Sequence, residues 1–238
     1  MTRLGESVRR GLQAVAEPGR AGAMQAYMKS EMPYLGVSVV PLRQVCKALF
    51  RDLRYESAAA WQNDVLGLWR GAAFREERYC AIALTGLRVA RAFQRFEAIG
   101  LYEEMVVSGA WWDYVDVIAT QRLWEILCND PVPFKKLMRF WALDENIWKR
   151  RCAIICQNKA KKTTDLKLLY DCIEPSMESK EFFLRKGIGW ALREYAWTDP
   201  NEVQRYVAEN ADRLSGLSQR EALKNVLRIT QRDRVAGG

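Results

Sequence analysis

The chain is cut at short intervals by a capping residue set near a proline, and that punctuation limits it to helices joined by short connections. Ser38 and Pro41 introduce PLRQVCKALFRDL, Asp130-Pro131 opens PVPFKKLMRFWAL, and Asp199-Pro200 opens PNEVQRYVAEN. Serine and aspartate side chains accept the free N–H groups of a first helical turn, and proline suits that turn because its missing N–H would find no partner there. Ser218 followed by Glu221 predicts a capping box at the start of the last helix. Strand-like alternation of apolar and polar residues is hard to find anywhere. The pattern predicts an all-α chain of about a dozen helices.

A degenerate repeat adds to this. Aligning RYCAIAL at 78, YVDVIAT at 114, RCAIICQ at 151 and KGIGWAL at 186 puts Cys80, Val115, Cys152 and Gly187 in register, at steps of 35, 37 and 35 residues. Such a step holds two helices and their loops. Helix pairs stacked in this way form a curved superhelix with a concave surface. The 238 residues suffice for one substantial core. The expected organisation is a single domain over residues 1–230, followed by a frayed tail over 231–238 containing QRDRVAGG.

Composition narrows the chemistry. No apolar run approaches the ~20 residues needed to cross a bilayer. The N-terminal MTRLGESVRRGLQ lacks the apolar segment of a secretory signal, so a cytoplasmic, membrane-independent protein is expected. Against 29 acidic residues stand 37 basic ones, a net charge of +8 that suits a polyanionic partner. Six cysteines are scattered through apolar helical patterns and read as reduced, buried thiols. Cys152 and Cys156 lie one helical turn apart, but no second pair completes a metal site. The chain has no histidine, which excludes Ser-His-Asp and Cys-His catalysis and all imidazole acid–base chemistry.

Three helical stretches carry the remaining polar chemistry. In EFFLRKGIGWALREYAW, residues 181–197, Leu184, Ile188, Leu192 and Tyr195 form a core stripe, while Lys186, Trp190, Arg193 and Trp197 form another. Gly187 and Gly189 flank the second stripe at a cost of about 1 kcal/mol each, which points to close helix packing or close approach of a ligand. In SGAWWDYVDVIAT, Trp112 and Asp116 share one face four residues apart, and Trp111, Val115 and Ile118 share the adjacent, core-facing one. Spacing leaves open whether Asp116 is a surface carboxylate beside a half-buried indole or one aimed at a cationic reaction centre. It equally leaves open whether Trp190 packs on a neighbouring helix with solvated cations around it. The stretch 144–162 gathers Lys149, Arg150 and Arg151, then Lys159, Lys161 and Lys162. Arginine can grip phosphate through a bidentate fork, whereas the lysine cluster reads as a solvated charge run.

Taken together, AYMKSEMPYLGV at 26–37, WWDYVD at 111–116, DENIWKRR at 144–151 and SKEFFLRKGIGWALREYA at 179–196 resemble the bacterial HEAT-like-repeat alkylpurine DNA glycosylases, the AlkD family. The resemblance implies a right-handed superhelical solenoid of HEAT-like helix pairs with a concave basic groove for double-stranded DNA. It implies monofunctional hydrolysis of the N-glycosidic bond of cationic N3- and N7-alkylated purines, without flipping the base. Trp112, Asp116 and Trp190 match the family's catalytic cluster. Tyr27, Arg151 and Arg193 match positions lining the DNA surface, and Lys186 shares the Arg193 stripe. Where some relatives carry a glutamine after Leu35-Gly36, this chain has Ser38, a further candidate for DNA contact. Some relatives in antibiotic producers remove bulky minor-groove adducts as self-resistance enzymes.

This chemistry explains the missing histidine. An alkylated purine is already cationic and leaves without a general acid, so the demand falls on stabilising an oxocarbenium-like sugar and placing water. No metal or organic cofactor is expected, and the protein is expected to act as a monomer. The reading from another class is a non-catalytic helical scaffold that binds DNA or protein through the same surface. Base release from methylated duplex separates the two.

Overall fold

The computed structural model describes residues 2–236, and among them every regular element is helical. No helix among them is long and apolar enough to cross a membrane. The chain divides into two compact units, Met1–Leu101 and Tyr102–Gly238.

The first unit holds α1 (Arg3–Gln13), α2 (Pro18–Met28), α3 (Val39–Phe50), α4 (Ala58–Arg70) and α5 (Arg75–Thr85), followed by two 3-10 turns, Arg88–Phe93 and Phe96–Ala98. Helix α5 packs against α1, α3 and α4. The core is apolar and includes Val8, Leu12, Trp61, Val65, Cys80 and Leu84, each fully buried. Two acids in the first turn of α5 are buried with it, and both have partners. Glu77 takes the Arg9 guanidinium at 2.5 and 3.0 Å. Glu76 accepts the backbone N–H groups of Leu35, Gly36 and Val37 at 2.9–3.1 Å. This fastens the loop that leads into α3. Gly36 has φ +84°, and a Cβ there would lie 2.0 Å from the Glu17 carbonyl oxygen, so no other residue fits.

Helix α6 (Ile99–Gly109) leads into the second unit. Next, α7 (Trp112–Val117), a π-helical turn (Ile118–Leu123) and α8 (Trp124–Asn129) form one unbroken helical run. The Thr120 hydroxyl donates to the Asp116 carbonyl at 2.7 Å at the start of the π turn, a distortion often found at functional sites. The rest comprises α9 (Pro131–Trp141), α10 (Ile147–Ile155), α11 (Leu166–Ile173), α12 (Phe182–Tyr195), α13 (Pro200–Glu209) and α14 (Gly216–Ala236). Helix α10 is central, contacting α7, α9, α11 and α12, while α12 packs closely along α14. The all-α class and the stacked-helix architecture are those expected.

The four residues of the repeat register, Cys80, Val115, Cys152 and Gly187, are all buried, in α5, α7, α10 and α12. The six thiols are free, five of them buried and Cys128 exposed. Asp199 caps α13, accepting from Glu202 N at 2.9 Å. Ser38 and Asp130 stand at N-cap positions without a side-chain cap bond. The capping box expected at Ser218 and Glu221 is not formed. Ser215 does that work instead, its Oγ accepting from Ser218 N at 3.1 Å and its carbonyl from Gln219 N at 3.0 Å. Glu221 is drawn away because three cations converge on it. The expected tail is helical through Ala236, and residues 237 and 238 lie outside the described residues.

Candidate active site

The two adjacent tryptophans are separated by the helix start. Trp111 is the N-cap of α7, with extended backbone at φ −150° and ψ 148°, so the one-helix geometry expected for the pair does not apply. Its half-buried ring joins an aromatic cluster, 5.3 Å from Phe183 and 6.0 Å from Trp148, which are themselves 4.9 Å apart. Val115 and Ile118 fill the core without it. Trp112 begins α7 and is half-buried one turn before Asp116.

Asp116 lies on the same helix as Trp112, with its side chain 17% exposed. Arg151 of α10, only 5% exposed, grips it as a fork, Nε to Oδ1 at 2.7 Å and Nη2 to Oδ2 at 2.8 Å. The third nitrogen of that guanidinium, Nη1, donates to the Phe183 carbonyl at 2.5 Å. A charge-assisted bidentate pair of this kind fixes the carboxylate's position and plane. Burial pushes the Asp116 carboxyl up, the Arg151 hydrogen bonds and charge pull it back, and the balance leaves it above its ordinary value of 3.8. Its fork bonds leave carboxylate lone pairs for a further partner.

Helix α12 supplies the other wall. The Trp190 ring centre lies 6.0 Å from the Arg151 guanidinium carbon, and its indole N–H donates to Glu194 at 3.0 Å. Gly187 makes room for Arg151, because a Cβ there would sit 3.2 Å from Nη1. The structure thus brings Trp190, Arg151 and Asp116 together through contacts, with Trp112 on the Asp116 helix.

The other candidates are placed differently. Lys186 and Arg193 both pair with Glu221 of α14, Lys186 at 2.8 Å, and Lys224 joins them at 2.6 Å. Burial pushes the Glu221 carboxyl up, but hydrogen bonds from Lys186 and Lys224 outweigh it and hold it at about 2. Gly189 allows α14 this close, since a Cβ there would meet Glu221 Cβ at 2.4 Å. Of the basic run in α10, Lys149 is taken up by Glu103 and Asp144, and Arg150 by Ser176 and the Pro175 carbonyl. Lys159, Lys161 and Lys162 are exposed, as a solvated run would be. Tyr27 is 78% exposed on α2, and Ser38 is half-buried behind the loop that Glu76 holds. Both belong to the first unit.

Sequence reasoning missed Glu221, Glu194 and Lys224. Glu221 was legible only as a cap, and Glu194 follows Trp190 at the four-residue spacing that places two side chains on one helix face.

A family model described as DNA alkylation repair enzyme matches residues 8–226. The chain belongs to that family. Among solved structures, it is similar to a predicted DNA alkylation repair enzyme from Enterococcus faecalis, at 27% identity with a TM-score of 0.79 over 88% of this chain and 95% of the other. No curated protein sequence matches it. Membership assigns the chain to repair of alkylated DNA, with DNA as its partner. The Asp116–Arg151 pair, π turn and Trp190 all lie within the matched span.

Proposed function

We propose that this family member is a monofunctional DNA glycosylase for cationic N3- and N7-alkylated purines in duplex DNA, acting without base flipping or a lyase step. The observation that carries the reading is Asp116, a half-buried carboxylate oriented by the fork of Arg151, whose guanidinium carbon lies 6.0 Å from the Trp190 ring centre. As the bond from the sugar C1′ to the purine breaks, its electron pair moves onto the ring and neutralises the alkylated base, which departs without a proton. Positive charge passes to the sugar, where Asp116 stabilises it. Water then adds at C1′ and releases one proton to solvent, leaving an abasic site with a C1′ hydroxyl.

The indole faces of Trp112 and Trp190 offer π density to the electron-poor sugar, adding ~1 kcal/mol each. They also keep bulk water from weakening the carboxylate's field. A site that reads the sugar needs no snug pocket around the base, so bulky minor-groove adducts of the self-resistance kind fall within its reach.

The test is release of free base from duplexes carrying 7-methylguanine, a small N3-methyl adduct or a bulky N3-adenine adduct, alongside binding to unmodified duplex. Release of the methylated bases supports the reading, and release of the bulky base extends it to self-resistance. Tight binding with no base released from any duplex makes the protein a non-catalytic DNA-binding scaffold.

A further inference from the structure

Among the described residues of the second unit, three multi-partner ion pairs have acids in excess. Arg205 lies between Glu202 and Glu209, Arg213 between Glu174 and Glu178, and Lys149 between Glu103 and Asp144. Such cations are neutralised and have little left for an anion. At Glu221 the balance is reversed, with Lys186 and Arg193 from α12 and Lys224 from α14 all meeting one carboxylate. Two positive charges are left over.

The geometry faces those charges outward. The Glu221 side chain is 8% exposed, whereas those of Lys186, Arg193 and Lys224 are 38%, 25% and 48% exposed. Each cation spends a donor on Glu221 and keeps others, since an ammonium has three N–H groups and a guanidinium five. Three long basic side chains left alone would repel and spread. Held on a common carboxylate, they stay convergent before any ligand arrives.

The floor beneath them is rigid. Gly189 permits the close approach of α14, and hydrogen bonds from Ser218 Oγ to the Arg185 carbonyl at 3.1 Å and from Asn225 to the Arg193 carbonyl at 2.8 Å tie the helices together.

We propose that Lys186, Arg193 and Lys224 form one preorganised site for a DNA backbone phosphate, with Glu221 as its positioning residue. A phosphodiester carries one negative charge and two free oxygens, so it fits a convergent cluster with two positive charges to spare. The site rests on the reading of the protein as a duplex-binding enzyme, and Lys224 enlarges the phosphate-contact set beyond Lys186 and Arg193.

The test is binding of an unmodified duplex across a salt series, measured by fluorescence anisotropy. One lost phosphate contact lowers the magnitude of the log–log salt slope by about 0.9, so Lys224→Met, checked for folding by circular dichroism, is expected to produce that drop. Glu221→Gln is expected to weaken binding several-fold at every salt concentration, although it raises the protein's net positive charge. An unchanged slope in Lys224→Met overturns the site, and tighter or unchanged binding by Glu221→Gln overturns the positioning role. No base release enters this measurement. A wild-type protein that shows the slope effect but releases no alkylated base keeps the phosphate site and loses the glycosylase reading. One that releases base while Lys224→Met keeps the wild-type slope does the opposite.

Discussion

Arg151 makes the role of Asp116 quantitatively testable, because the carboxylate works beside its own countercharge. A sugar cation about 4 Å from Asp116 gains about 4 kcal/mol at an effective dielectric near 20. The guanidinium, placed behind the carboxylate at about twice that distance, takes back about 2 kcal/mol. Asp116→Asn removes the attraction and leaves the repulsion, so base release should slow by about three orders of magnitude. Asp116→Asn combined with Arg151→Met removes both terms and should be only about 30-fold slower than wild type. The double variant is therefore expected to be faster than the single one by about 30-fold. Breaking a buried pair costs about 3–5 kcal/mol of stability, so each variant is first checked for folding by circular dichroism. The assay is single-turnover release of 7-methylguanine with protein in saturating excess, which separates the rate from any loss of binding. Release by Asp116→Asn at the wild-type rate refutes the catalytic role. A double variant no faster than Asp116→Asn refutes the countercharge argument.

The remaining predictions concern what surrounds that pair. Because the folded Asp116 carboxyl lies above 3.8, release should fail as pH drops through a midpoint above that value, and Arg151→Met should move the midpoint higher by removing the influence that lowers it; an acid limb at or below 3.8 in the pH–rate profile contradicts this. Glu194→Leu removes the acceptor of the Trp190 N–H, a bond worth about 1 kcal/mol, and should slow release about fivefold while duplex affinity holds. A wild-type single-turnover rate would show that the indole needs no such anchor. The folded Glu221 carboxyl is held at about 2, below its ordinary 4.5, so it contributes stability above 4.5 that is lost as pH falls toward 2. Glu221→Gln should therefore lower the melting temperature at neutral pH and converge with wild type near pH 2, and equal melting curves at neutral pH would deny that contribution. Gly36→Ala should destabilise the protein by about 3 kcal/mol or more, read from the denaturant midpoint, because the left-handed backbone and the Glu17 carbonyl both oppose a Cβ.

How much of this was legible in the sequence depends on whether a residue's partner is local. The helices were, because caps, prolines and the 3.6-residue period act within one or two turns: Asp199 caps its helix, and Leu184, Ile188 and Leu192 are fully buried as their spacing required, whereas Tyr195 at the end of the same stripe is only half-buried. The repeat register places Cys80, Val115, Cys152 and Gly187 at near-constant steps, and all four are buried in helices. Partner choice over long separations was not. Ser218 and Glu221 have the spacing of a capping box, yet the gain from one backbone N–H loses to three charge-assisted contacts, two of them from a helix about 30 residues earlier. Arg151 had the composition of a phosphate ligand, but its fork closes on Asp116, 35 residues away, because both are largely withdrawn from water and neither charge is tolerable there alone. The resemblance of WWDYVD and the 179–196 stretch to the family grouped Trp112, Asp116 and Trp190 without indicating what holds them. The two glycines complete the account: spacing allowed close packing or close ligand approach, and Gly187 proves to accommodate Arg151 while Gly189 accommodates Glu221. Each glycine thus admits one end of a charge pair, so an alanine at either should disturb electrostatics through packing.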